Sequence, residues 1–172
     1  MATRLYYAGS VAFGGLAYAA DPNWNDITQS TALSTNITST YLTAGSVNYT
    51  QSAQKNNAAN PHAILHTRFS FALPAGITLS GNLRGQLFAQ CPGSLTGCRA
   101  ISVRVFGTGS FLIPSATLVQ HFPSSLTSNF GGAMQNRFFP PSMPILGSYT
   151  TAVGDVLVVE VGTKWFTATT GP

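Results

Sequence analysis

Between Ile64 and Leu73 the chain alternates with a period of two. Leu65, Thr67, Phe69, Phe71 and Leu73 fall on one side, and His66, Arg68 and Ser70 on the other. An extended strand puts successive residues on opposite faces, so this run predicts a strand with one side buried. After the turn signal Pro74-Ala75-Gly76 the pattern returns. Ile77, Leu79, Leu83 and Leu87 oppose Thr78, Ser80, Asn82, Arg84 and Gln86, with Gly81 and Gly85 where a bend or bulge fits. The two runs are expected to pair as a hairpin. Further strands are expected at Arg99 to Phe106, Ala116 to Phe122, Met134 to Phe139, Ile145 to Thr150 and Val156 to Gly162. The run Val156 to Val161 is apolar on both faces except at Glu160, which suits a central strand or one covered on its outer side.

Composition narrows the class. Charged residues make up 7% of the chain and apolar residues 44%, against about 25% charged in an average soluble protein. A helical bundle needs Glu, Lys and Arg on its wet faces, and a disordered chain has far fewer Phe, Ile, Leu and Val. The 37 Ser and Thr residues supply a polar exterior without charge. A length of 172 residues suits one domain with a core. The expected fold is all-β: one domain over 1–172, an antiparallel two-sheet β-sandwich, jelly-roll-like, of about eight strands.

The net charge of +4 comes from eight Lys and Arg against four Asp and Glu. The cations Arg4, Lys55, Arg68, Arg84, Arg99, Arg104, Arg137 and Lys164 are scattered along the sequence, whereas phosphate-tracking surfaces concentrate them. They are read as isolated cations on polar strand faces or in contacts, and no nucleic-acid partner is expected. At the N-terminus, the Leu5 to Ala20 stretch imitates a secretory signal ending in Ala17-Tyr18-Ala19. Gly9, Ser10, Gly14 and Gly15 break its apolar run. It is also shorter than the roughly 20 apolar residues of a membrane span. Retained structure is expected instead, with a strand at Arg4 to Ala8, no membrane association, and synthesis in a cytoplasm.

From Asp21 to Asn60 the chain is rich in Thr, Ser, Asn and Gln, yet carries Trp24, Ile27, Leu33, Ile37, Tyr41, Leu42, Val47 and Tyr49. Short strands around Thr35 to Thr43 and Ser46 to Thr50 are expected, followed by a polar loop at Ser52 to Asn60. Cys91 and Cys98 flank a short Pro- and Gly-bearing loop. If the strands on either side pair, the two cysteines face each other at its base, where a disulfide fits. Cytoplasmic synthesis favours free thiols, so both states stay open.

A search for catalytic groups is mostly negative. Asp21, Asp26, Asp155 and Glu160 are the four carboxylates, and none stands in a recognisable motif; Asp155 follows Gly154 as a turn residue would. His62 and His66 have a helical metal spacing, but on a strand they lie about 13 Å apart. His121 reads as a partly buried strand residue. No nucleophile elbow, P-loop or dinucleotide fingerprint occurs. Neither an enzyme nor a bound cofactor or metal is expected.

The second half gathers Phe106, Phe111, Leu112, Ile113, Phe122, Phe130, Phe138, Phe139, Met143 and Ile145, many in Pro- and Gly-bearing segments such as Phe138 to Pro144. These side chains either plug the ends of a sandwich or form an apolar patch of the kind buried between subunits.

Five segments together resemble a group of small structural proteins of tailed bacteriophages, especially phages of aquatic bacteria. They are Met1-Ala-Thr-Arg-Leu-Tyr6, the Trp24 segment with its Thr- and Ser-rich continuation, Gly81-Asn-Leu-Arg-Gly-Gln-Leu87, Ile101-Ser-Val-Arg-Val105 and Val153-Gly-Asp-Val-Leu-Val-Val-Glu-Val-Gly162. The likeness spans most of the chain. Members of that group run on into a further polar segment and an aromatic end, so a continuation past Pro172 is expected. The resemblance implies a virion component of the jelly-roll kind, with no catalytic residues to carry over.

The leading expectation is a non-enzymatic virion protein that decorates or cements a capsid as a symmetric homo-oligomer, a trimer by preference, against the major capsid protein or tail proteins. Trp24, Tyr41, Phe111, Phe130, Phe138 and Phe139, with Arg137 as an anchor, are its candidate contacts. The alternative is a tail-fibre or baseplate adhesin that binds host glycans through Trp24, Tyr49, Asn48 and Trp165.

Overall fold

A computed structural model of the chain describes residues 6–7, 18–25, 34–38, 62–89, 97–123, 135–138 and 143–165. Among the described residues there are strands and no helix, and the fold is all-β. In chain order the strands are β1 (Tyr6–Tyr7), β2 (Ser34–Thr38), β3 (His62–Ala72), β4 (Thr78–Leu79), β5 (Asn82–Leu83) and β6 (Gln86–Ala89). They continue with β7 (Gly97–Phe106), β8 (Ala116–His121), β9 (Gln135–Phe138), β10 (Met143–Pro144), β11 (Tyr149–Thr150) and β12 (Val156–Trp165).

Six of them form one sheet in the order β1-β2-β3-β12-β7-β8. All neighbours are antiparallel except β2 and β3, which are parallel. β12 is central, paired along its whole length with β3 on one side and β7 on the other. Its sequence gives the reason: apolar residues at both parities must be covered on both faces, and a central strand between two cover layers satisfies that. The strand runs three residues past Gly162, the end expected from the sequence.

A register shift separates Val161, which faces Thr67, from Gly162, which faces Leu65. His66 is the extra residue, and one extra residue reverses the phase of the alternation beyond it. Leu65 therefore does not share a face with Phe71, as simple alternation predicts. It packs with Trp24, Ala63 and Ala100 on one face, while Phe71 joins the cluster on the other.

The expected hairpin between the runs at 64–73 and 77–87 is corrected by the pairing. β3 takes β12 as its partner through ten residue pairs, and the chain after Pro74 leaves the sheet. β4, β5 and β6 pair instead with β11, β10 and β9, all antiparallel. These three short pairings follow one another along a single two-stranded ribbon. Ile145, in one of its breaks, donates its amide to the Gly81 carbonyl at 2.8 Å. The strand expected at Ile145 to Thr150 is accordingly split, with a bend at Leu146 and Gly147.

The ribbon lies on one face of the sheet. Leu79, Leu83, Met143, Ile145 and Tyr149 from the ribbon pack against Ile101, Val103, Val105, Leu118, Val119 and Leu157 from the sheet. Leu146 also donates its amide to the Leu118 carbonyl on β8 at 2.6 Å, tying the ribbon to the sheet's last strand. The turn into β12 is held by Asp155, whose buried carboxylate accepts the Ala152 amide at 2.7 Å and the Tyr149 hydroxyl at 2.8 Å. Gly154 in that turn has φ of 84° and lies against Thr108, a conformation and a space that exclude a side chain.

Candidate functional site

The opposite face of the sheet carries a row of polar residues, set by register. Arg68 on β3 faces Glu160 on β12, Glu160 faces Ser102 on β7, and Ser102 faces Gln120 on β8. Arg104 stands one position further along that face, opposite Val158. A strap formed by residues 18–25 runs over this row. At one end Ala19 donates its amide to the Phe111 carbonyl at 2.7 Å. At the other, Asn25 donates its amide to Ala63 at 2.8 Å and accepts the Ala63 amide on its side chain at 2.7 Å.

Under the strap, Glu160 is fully buried, at 0% exposure. Its Oε1 meets Arg68 Nε at 2.9 Å and Arg104 Nη2 at 3.0 Å. Its Oε2 accepts the Asp21 amide and the Trp24 indole N–H, both at 3.0 Å. Glu160 thus accepts three hydrogen bonds and faces a second guanidinium, while Arg68 Nε and Arg104 Nε are buried without a hydrogen bond of their own. The guanidiniums reach onward to the strap backbone: Arg68 Nη2 donates to the carbonyls of Tyr18 at 2.7 Å and Ala19 at 3.1 Å, and Arg104 Nη2 to that of Ala19 at 2.6 Å. Arg104 also lies over the Phe106 ring, 5.1 Å from its centroid.

Asp21 brings a second carboxylate. It accepts from the Ser102 hydroxyl at 2.6 Å, from Gln120 Nε2 at 2.9 and 3.0 Å, and from the Asn23 amide and side chain at 2.9 Å. Burial alone raises its pKa, but Ser102, the Asn23 amide, Gln120 and the Asn23 side chain together outweigh it and hold the group below the usual carboxylate value. Burial depresses the Arg68 pKa; Glu160 opposes that effect and the nearby Arg104 adds to it. Two carboxylates and two guanidiniums leave the cluster with no net charge, the condition under which buried ions are tolerated.

This cluster is structural in its chemistry. A general acid or base needs room for a substrate atom within hydrogen-bond reach, and Glu160 is fully buried with both oxygens against the strap or an arginine. Asp155 is spent on its own turn. His121 is a half-buried strand residue, as expected, and burial followed by the neighbouring Arg99 lowers its pKa. His62 and His66 both lie in the extended strand β3.

A second feature lies at the end of the sheet where β3 and β7 finish and β8 and β12 begin. There Phe111, Leu112, Ile113 and Val153 stand exposed, Leu112 at 77%, Ile113 at 74% and Val153 at 83%. The loops that carry them brace one another: Thr108 Oγ1 donates to the Val153 carbonyl at 3.1 Å, and Ser110 Oγ to that of Ile113 at 2.6 Å. Tyr18 makes tilted ring contacts with both Phe106 and Phe111, with centroids 4.9 and 5.4 Å apart, and so joins this tip to the strap. Ile77, also exposed, is tied to Thr151 in the same region.

Of the expected contact residues, Phe111 is at the exposed tip. Trp24 is not available as a surface contact: its ring packs edge-on to Phe122 and among Ala63, Leu65 and Ala100, and its N–H is used by Glu160. Arg137 and Phe138 lie in β9, paired with Leu87 and Gln86. Tyr41, Phe130 and Phe139 lie outside the described residues, as do Asn48 and Tyr49; Trp165 ends β12. The geometric basis for a Cys91–Cys98 disulfide is corrected. β6 pairs with β9 and β7 with β12 and β8, so the strands flanking the loop are not partners; Cys98 faces Lys164, and Cys91 is outside the described residues.

The reading of the cations as isolated is corrected for Arg68 and Arg104, which converge on one carboxylate. The signal for this was present in Glu160, a lone charge in a run apolar on both faces, which demands a buried partner on an adjacent strand. Asp21 and the strap gave no such signal, since nothing in their local sequence fixes where they dock. Among the described residues no helix is long and apolar enough to cross a membrane. Comparisons of the chain with protein-family models, with curated proteins and with solved structures return no match.

Proposed function

We propose that this chain is a non-enzymatic structural protein of a tailed-phage virion that decorates or cements the capsid. The observation that carries the reading is the apolar tip. Leu112, Ile113 and Val153 are large, exposed and gathered at one end of the sheet on loops that brace each other. Such a patch loses free energy in water and gains it against a partner surface. The low charge of the whole chain supports the same reading, because a surface that spends its life against neighbours does not need Lys and Glu for solubility. The resemblance to phage structural proteins supplies the kind of partner, the major capsid protein or a tail protein. A symmetric homo-oligomer and a jelly-roll-like sandwich belong to this proposal.

The mechanism is adhesive. Each subunit buries its apolar tip in a cleft of the shell, and many equal contacts add up to resistance against internal pressure. The glycan-binding alternative loses Trp24, one of the residues named for it, since that side chain is buried. Cryo-electron microscopy of intact particles tests the proposal. Density at capsid positions in hundreds of copies, tips inward, is the expected result; density confined to the tail overturns the capsid assignment.

A further inference from the structure

Among the described residues, the strap is held differently from the ribbon that covers the other face. Its backbone and its Asp21 and Trp24 side chains are bound by side chains from four strands: Arg68 on β3, Glu160 on β12, Ser102 and Arg104 on β7, and Gln120 on β8. All of these are between 49 and 139 residues away in sequence. Guanidiniums grip consecutive carbonyls, a carboxylate receives a backbone amide and an indole N–H, and a hydroxyl and an amide receive the strap's own carboxylate. Such a division of main-chain contacts for affinity and side-chain sockets for selectivity is how proteins bind peptides, here one with its own turn, in which Trp24 donates its amide to the Asp21 carbonyl at 3.1 Å.

We propose that this sheet face is a peptide receptor, and that residues 18–25 are a ligand carried in the same chain, which docks and detaches as a unit while the sheet stays folded. The peptide it recognises has a small residue where Ala19 lies between the two arginines. An acidic residue follows for Ser102 and Gln120, and an indole three positions later for Glu160 and the apolar pocket of Ala63, Leu65 and Ala100. The sheet does not depend on the strap for its other layer, because the apolar cluster under the ribbon contains no strap residue.

Native-state hydrogen exchange on the full-length chain is the first test. The amides of Ala19, Asp21, Trp24 and Asn25 are expected to exchange together and at least about tenfold faster than those of Val158 and Val159 in β12, after correction for intrinsic rates. Exchange of both sets at one common rate overturns the proposal. The second test uses full-length Asp21→Ala and a fluorescent synthetic peptide matching Tyr18 to Asn25. Fluorescence anisotropy is expected to report saturable binding to this variant. The signal should be lost when the peptide carries alanine for its aspartate, and at least about tenfold weaker on Asp21→Ala/Glu160→Gln. A folded Asp21→Ala chain that does not bind the peptide overturns the receptor. Loss of protection in β12 on the same substitution overturns separability, since the strap is then part of the sheet's own fold.

Discussion

The two faces of the six-stranded sheet are covered by different means. On one, a ribbon brings Leu79, Leu83, Met143, Ile145 and Tyr149 onto an apolar floor, and the attraction is burial without direction. On the other, eight residues of strap bring Asp21 with them and settle over Glu160 and two guanidiniums, and the attraction is a set of short, oriented, charge-assisted bonds beside a small apolar cluster around Trp24. The dry face tolerates a shift of an ångström at modest loss. The charged face does not, because a shifted strap breaks short oriented bonds to Glu160, Arg68, Arg104 and Ser102 all at once. The contrast separates two jobs: apolar area supplies most of the stability, and ion placement fixes where the strap sits.

Breaking the charged face is expected to cost most. Glu160→Leu strands both guanidiniums and should lower unfolding free energy by about 3–5 kcal/mol in urea denaturation; a loss below about 1 kcal/mol contradicts the account of the cluster. On the dry face, Met143→Ala leaves a cavity between ribbon and sheet and should cost about 2–4 kcal/mol, with the Trp24 environment unchanged by fluorescence. A change at Trp24 means the two faces are coupled through the sheet.

Asp21→Asn probes charge alone and should cost about 1–3 kcal/mol near neutral pH. Because the folded Asp21 pKa lies below its unfolded value of about 3.9, its contribution is fully present above that value. It is lost as pH falls through the lower folded value. The stability gap between wild type and variant should therefore be constant from pH 7 to 5 and close toward pH 2; a gap that does not narrow excludes this origin. The smallest effect is expected at the tip. Leu112→Ser with Ile113→Ser should change stability by no more than about 0.5 kcal/mol per site while reducing retention on purified capsids in a co-sedimentation assay.

The dry face was largely legible in the sequence and the charged face was not. Alternation at Phe71, Leu79, Leu83, Val103 and Val105 is a local signal, and each of these strands announces its buried side by itself. Pairing is not local. The turn at Pro74 to Gly76 looks like a hairpin turn, yet β3 finds a longer partner in β12, more than eighty residues on. The cluster needed two such non-local facts at once, the strand order and the path of the strap. Leu65 shows a subtler limit, since a single extra residue at His66 moves it to the opposite face, and no composition signal marks that bulge.

The breaks in the ribbon carry a consequence for how this chain tolerates changes of length. From the Leu79–Tyr149 pair to the Asn82–Pro144 pair, one strand advances three residues and the other five. From Leu83–Met143 to Gln86–Phe138 the same counts recur, three against five. The break at 145–148 therefore inserts two residues on one strand, an even number that returns the following side chains to their original side. Met143, Ile145 and Tyr149 all still reach the sheet. Insertions or deletions in the 145–148 stretch should thus be accepted in twos and rejected singly, because a single step turns everything beyond it inside out.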